Sequence, residues 1–207
     1  MQLFTVGHST HPAEHFTGII KQNNVQYIID VRSTPYSKYA PQYNSEELKA
    51  RLLNEGIQYF HMGKQFGARQ EKRKYYPDGY LDFELFRESD DFKKGLLSIK
   101  EGLKKYNIAL MCTEKNPIDC HRAIMVGRGF ELDGTDVKHI LPDGSLMTQK
   151  ELNNALMDMY FPDRNQLSIF DTAGENDEEY YLKEAYRLRN KAIGYRFGTD
   201  KEGGMTE

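Results

Sequence analysis

Residues 26–31, QYIIDV, form an unbroken apolar run that ends in an acid, the pattern of a strand covered on both faces. Such a strand requires helices above and below the sheet it joins, and the chain supplies them in alternation. LFTV (3–6), IQYFHM (57–62), NIALMC (107–112) and DVKHIL (136–141) read as further strands. Between them, residues 13–22 place Phe16, Ile19 and Ile20 on one helical face, and residues 45–56 open on Ser45 as N-cap and close at Gly56. Residues 82–106 read as one or two helices with a break near Ser89, and a further helix is expected from close to Cys120 to about Leu132. This order predicts an α/β fold. It is expected to be a single Rossmann-like domain with a mostly parallel sheet of about five strands flanked by helices, with right-handed crossovers.

The pattern changes after Pro142, which divides the chain into an α/β core over 1–145 and a helical, acidic C-terminal extension over 146–207. Residues 147–161 read as a helix capped by Thr148, and 177–193 as another. Residues 157–207 carry 11 acidic and 7 basic side chains, so the extension is acidic while the remainder is nearly balanced. Tyr180, Tyr181, Leu182, Tyr186 and Leu188 give its last helix an apolar face, suited to packing on the core or to self-association. A net charge of −3 over 207 residues does not suit a protein that coats nucleic acid or a membrane surface. MQLFTVGHST lacks the pattern of a signal peptide and no stretch is apolar enough to span a bilayer, so the expectation is a cytoplasmic protein with reduced thiols.

In open α/β sheets, ligands bind beyond the carboxyl ends of the strands. Those ends carry GHST (7–10), DVRSTPYSKYAPQYN (30–44), HMGKQFG (61–67) and, after NIALMC, the stretch TEKNPIDCHR. Gly7 allows a sharp turn beside His8 and Ser9. Arg32 and Arg122 each carry a fork suited to phosphate or carboxylate, with Asp30 as an internal partner for one of them. Lys38, Tyr43 and Gly67 complete the expected ligand-binding set. His8 reads either as a proton carrier or as a backbone cap, whereas His11, His15 and His139 read as structural. Loop 64–80 interleaves basic residues with Tyr75, Tyr76 and Tyr80, which suits a lid or a stacking surface. The expected partner is an anionic small molecule or nucleotide. Nucleic acid stays open, although the overall charge does not favour it.

The two cysteines, Cys112 and Cys120, stand eight positions apart, with His121 and Arg122 directly behind the second. A thiol at a helix start beside His and Arg gains thiolate character, which suits Cys120 as nucleophile or redox centre. A metal held by Cys112, Cys120 and His121 or His8 is a second reading, although the spacing is not that of a structural zinc knuckle. A disulfide, or two buried apolar thiols, are the others. No cofactor is required by the sequence.

Together TVGHST, DVRSTPYSKYAPQYN, YFHMGKQFG and LMCTEKNPIDCHR resemble the prokaryotic family named domain of unknown function 488, over about residues 3–141. Phe66, Gly67 and Ala68 stand where that family usually carries Leu-Gly-Gly. The resemblance implies an α/β fold with two recurrent cysteines and supplies no established reaction. A weaker similarity to rhodanese-like and cysteine-phosphatase domains would imply sulfur or phosphoryl transfer through Cys112. The loop between the cysteines is longer than their anion cradles and contains Pro117. The expected function is an enzyme or ligand-binding domain with an anion pocket and a Cys/His/Arg site. In it Arg32 and Arg122 would hold the ligand, Cys120 would react, and His8 or His121 would move protons. The alternatives are a non-catalytic nucleotide or nucleic-acid module and a metal-dependent protein.

Overall fold

The computed structural model describes residues 1–164 and 176–197. Part of the acidic extension therefore lies outside the described residues. The sheet holds six strands: β1 (Leu3–Gly7), β2 (Tyr27–Asp30), β3 (Gln58–His61), β4 (Ile108–Cys112), β5 (Val137–Ile140) and β6 (Leu146–Thr148). Their order is β3-β2-β4-β1-β5-β6. The first five run parallel, and β6 returns antiparallel on β5. The expectation of about five strands falls one short. Asp143 and Ser145 close a tight turn around Gly144 at φ 84°, and the three residues beyond it pair with β5 before the next helix begins.

The helices α1 (Ala13–Gln22) and α2 (Ser45–Asn54) cover one face, burying Phe16, Ile20, Leu48 and Leu52 against Phe4, Val6, Ile28, Ala109 and Met111. The other face carries α4 (Phe83–Arg87) and α5 (Asp90–Leu103), which follow the short α3 (Gly63–Phe66). It also carries α6 (Arg128–Leu132), α7 (Gln149–Tyr160) and α8 (Asn176–Ile193). There Phe92, Ile99, Phe130, Leu152 and Tyr186 pack on Ile29, Leu110, Cys112 and Val137. Alternate residues of β4 thus serve the two layers, which is why the whole strand is apolar. Each fully buried side chain of this kind contributes about 1.5–3 kcal/mol.

Local chemistry sets the helix ends. Ser89 accepts from the Phe92 amide and divides α4 from α5 at the expected break. Thr148 and Glu151 form a reciprocal capping box at the start of α7. The N-cap of α2 is Asn44, one residue before the expected Ser45, and its side chain accepts from Ser37 instead. Residues of α7 and α8 belong to the same buried cluster as the sheet. Asn190 fastens α8 to the preceding layer, donating to Leu81 O at 2.8 Å and accepting from Phe83 N at 2.8 Å. No helix among the described residues is long and apolar enough to cross a membrane.

Candidate functional site

The topology fixes where the chemistry gathers. Chain leaving β1 and β2 passes to the face of α1 and α2, whereas chain leaving β4, which lies between them, passes to the opposite face. Adjacent strands whose connections part in this way leave a crevice at their carboxyl ends. A pocket of about 440 Å³ occupies it, walled by Arg32, Ser33 and Thr34 after β2 and by Cys112, Thr113 and Glu114 at the end of β4. His121, Tyr36, Arg69 and Tyr195 complete much of its wall.

The exits of β1 and β4 are stitched together: His8 N donates to Cys112 O at 2.9 Å and Ser9 N to Thr113 O at 2.8 Å, with Ser9 held at φ 49°. Gly7 is the reason the two can lie so close. A Cβ built there would fall 1.9 Å from Glu114 O. That carbonyl also accepts from Arg122 Nη1 at 2.6 Å, and Lys115 O accepts from Nη2 at 3.3 Å. Arg122 is 0 % exposed. It does not reach the pocket as the sequence suggested, because its guanidinium is turned onto the loop carbonyls; its Nε has no partner among the described residues.

Beneath the pocket, both sulfurs converge on one carboxylate oxygen. Cys112 Sγ lies 3.0 Å and Cys120 Sγ 2.8 Å from Glu114 Oε2. The same sulfurs lie 3.7 and 3.9 Å from His121 Nδ1. His121 Nε2 meets Val31 O at 3.0 Å, which leaves Nδ1 facing the thiols. These four donor atoms are within 4.8 Å of one another. The cysteines are 2 % and 1 % exposed. Cys120 is extended at φ −131°, and the helical path begins at His121 and Arg122 in a widened, π-type turn, Arg122–Gly127. The helix therefore starts one residue later than expected, and an Arg122 amide at 3.5 Å addresses the Cys120 sulfur.

Electrostatics differentiate the two thiols. Burial pushes Cys112 well above the usual thiol range, and its hydrogen bond with Cys120 and the Glu114 charge push the same way. Burial also raises Cys120, but the Cys112 hydrogen bond and the Arg122 charge outweigh it and carry this thiol well below its ordinary value. Burial raises the Glu114 carboxyl, as does the Cys120 sulfur. Burial lowers His121, yet its hydrogen bond and attraction to Cys120 leave it raised overall.

Arg32 is anchored rather than loose. Its Nε and Nη2 donate to Asp30 at 2.9 and 2.6 Å, Nη2 also donates to Tyr43 O at 2.8 Å, and Nη1 faces His8 Nε2 at 3.2 Å. Among the described residues, one of its five N–H groups is left uncommitted. His8 Nδ1 meets Ser9 O at 2.7 Å and the ring stacks on Tyr43 at 4.1 Å, so His8 acts as a neutral acceptor for Arg32. Burial is the main cause of its pKa falling to about 4.

Tyr43 is buried, with its hydroxyl on His11 O at 2.9 Å. Lys38 is exposed over the Tyr39 ring and stands outside the pocket wall. Gly67 packs on Ser33, where a Cβ would meet Ser33 Oγ at 2.6 Å. Tyr75 and Tyr76 lie in the core against Phe86 and Phe197, so these rings present no open face for stacking on a base. Glu114 and Tyr59, whose hydroxyl donates to Asp30 at 2.8 Å, were not among the expected site residues. The position of Glu114 between the cysteines was the available signal.

His139 on β5 carries a pH prediction. Thr5 Oγ1 meets its Nδ1 at 2.8 Å, its Nε2 is buried without a partner, and burial together with the Arg122 charge lowers its pKa to about 3. Held neutral, it binds fewer protons folded than unfolded. Stability is full above its ordinary value of 6.5 and falls below it by about 1.4 kcal/mol per pH unit until about pH 3. Urea titrations at pH 6 and pH 5 should show this slope, diminished by about one proton in His139→Gln; an unchanged slope would refute the assignment.

A family model described as Domain of unknown function DUF488 matches residues 12–128. No curated protein and no solved structure matches the chain. The matched span takes in Arg32, both cysteines, Glu114, His121 and Arg122 and stops short of Gly7 and His8. Because it covers more than half of the chain, this protein belongs to the DUF488 family.

Proposed function

We propose that this Rossmann-like domain is a cytosolic enzyme that takes a small anionic substrate, a phosphorylated molecule or a nucleotide, into the pocket beyond β2 and β4. The observation that carries the reading is the convergence of two guanidinium groups and three hydroxyls on the Cys/Glu/His cluster at one sheet edge. Arg32 brings an uncommitted N–H held in place by Asp30, Tyr43 and His8, and Arg69 stands over the Tyr195 ring at 4.7 Å. Ser33, Thr34 and Thr113 offer hydroxyls to the remaining oxygens. Such charge-assisted bonds suit phosphate oxygens, and Tyr36 at the rim suits an attached ring.

Inorganic phosphate and adenosine monophosphate are the first probes, with binding followed by calorimetry at low salt. Arg69→Ala should weaken binding about tenfold, the loss of one charge-assisted contact, and lower the unfolding temperature by no more than a few degrees, because the residue is exposed and its contact with the Tyr195 ring contributes about 0.5–1 kcal/mol. Failure of both probes to bind, or equal affinity in the variant, would overturn the proposal.

A further inference from the structure

The buried cluster has the composition and shape of a metal centre, and we propose that Cys112, Cys120 and His121 bind one zinc-class divalent cation whose fourth, exchangeable position faces the pocket beside Glu114. This deepens the pocket reading and rests on it only for what the exchangeable position would meet.

Four observations support the site. Tetrahedral zinc with sulfur at about 2.3 Å and nitrogen at about 2.0–2.1 Å separates those donors by about 3.6 Å. The two sulfurs already stand 3.7 and 3.9 Å from His121 Nδ1, so no strand or helix has to move. The imidazole is oriented from behind by Val31 O, the outer contact that fixes the tautomer of a ligating histidine. Thiolate and imidazole donors favour zinc-class ions over magnesium or calcium.

The fourth is charge. The Arg122 guanidinium is wholly buried and bonded to main-chain carbonyls, a placement that calls for a nearby negative charge. A divalent ion with two thiolates and the Glu114 carboxylate carries one net negative charge beside it. The Arg122 amide directed at Cys120 Sγ adds a hydrogen bond to the thiolate.

Glu114 differs from the other three. Its contacts of 3.0 and 2.8 Å are hydrogen-bond lengths, shorter than the roughly 3.5 Å that two donors on one tetrahedral ion require. It also belongs to an exposed residue on the pocket wall, whereas Cys120 lies deep and lines no part of the pocket. Coordination therefore assigns three protein ligands to the ion and leaves the pocket-side position to Glu114 or to an oxygen of the bound molecule. On binding, the two cysteines and His121 together give up about two protons to solvent, and each sulfur and Nδ1 donates a lone pair to the metal.

The test uses the full chain, reduced and stripped with a chelator, titrated anaerobically with Zn²⁺ against a chromophoric competitor and separately with Co²⁺. The expected result is one equivalent of Zn²⁺ with release of about two protons, and thiolate-to-cobalt charge-transfer bands at the same stoichiometry. Cys120→Ser and His121→Ala should each lower affinity at least about 100-fold, and Glu114→Gln by no more than about tenfold. Wild-type protein that binds no Zn²⁺, cobalt spectra without sulfur bands, or affinity retained in both ligand variants would overturn the proposal. If a variant fails to fold, the wild-type cobalt spectrum still decides. Phosphate binding to the stripped protein reports on the pocket alone, so the two readings fail separately.

Discussion

Gly7→Ala is expected to destabilise the protein by about 3 kcal/mol or more and to disorganise the Cys/Glu/His cluster. The added methyl would lie 1.9 Å from Glu114 O and 2.9 Å from its carbonyl carbon. Both are backbone atoms, so no rotamer change relieves the overlap. Nor can the loop retreat cheaply. Glu114 O is gripped by a buried Arg122 at 2.6 Å, and the adjoining Cys112 and Thr113 carbonyls accept from His8 and Ser9. Overpacking of a rigid site costs 1–3 kcal/mol and occasionally more, and the backbone contact places this case at the upper end. At about 2–4 °C per kcal/mol for a chain of this size, the unfolding temperature should fall by roughly 6–12 °C.

Gly18→Ala is the matched control, since nothing lies within 4 Å of a Cβ in the middle of α1. There the substitution should stabilise by about 0.5–1 kcal/mol. Thermal unfolding of the two variants beside the wild type decides: equal unfolding temperatures for Gly7→Ala and wild type would mean that the β1 and β4 exits are not locked together.

The sequence and the structure agree where one local rule decides the outcome. QYIIDV and NIALMC had to be two-sided strands, and Ser89 and Thr148 had to cap helices, because each signal lies within a few neighbouring residues. The third dimension was needed elsewhere. β6 is three residues long with an exposed Leu146, too short for alternation to show, and is recognisable only by its pairing with β5. Tyr75 and Tyr76 resemble a stacking surface in sequence, yet a single turn at Arg73–Tyr75 rolls them inward.

In the candidate site, the residues expected after each strand do arrive at one edge, but their partners redistribute their roles. Arg122 looked like a ligand clamp because a guanidinium fork a short way beyond a strand end suits phosphate or carboxylate oxygens. Here Asn116 and Pro117 begin a tight turn that brings the Glu114 and Lys115 carbonyls over it. Glu114 enters the cluster through that same fold of the loop, which no spacing rule encodes.

Asp30→Asn should cost about 3–5 kcal/mol at neutral pH, the largest effect expected from a single isosteric change in this chain. Asp30 is 0 % and Arg32 5 % exposed. The carboxylate accepts from Arg32 Nε and Nη2, from the Arg32 backbone amide at 3.0 Å and from the Tyr59 hydroxyl. Asparagine removes the charge and turns an N–H₂ group toward donors, leaving a buried guanidinium uncompensated. Arg32→Met strands the carboxylate in the same way and should cost a similar amount.

Replacing both, as Asp30→Leu with Arg32→Met, removes the stranded charge and should leave the protein closer to wild type than to the sum of the single losses, with a coupling of about 2 kcal/mol or more. If stability alone maintained the pair, an apolar substitute would serve. The double variant should nevertheless lose phosphate binding, because the positioned Nη1 of Arg32 goes with it. Urea unfolding and phosphate calorimetry on the three variants separate these roles: strictly additive losses would refute the buried pair, and a stable double variant that still binds phosphate at wild-type affinity would remove Arg32 from the ligand site.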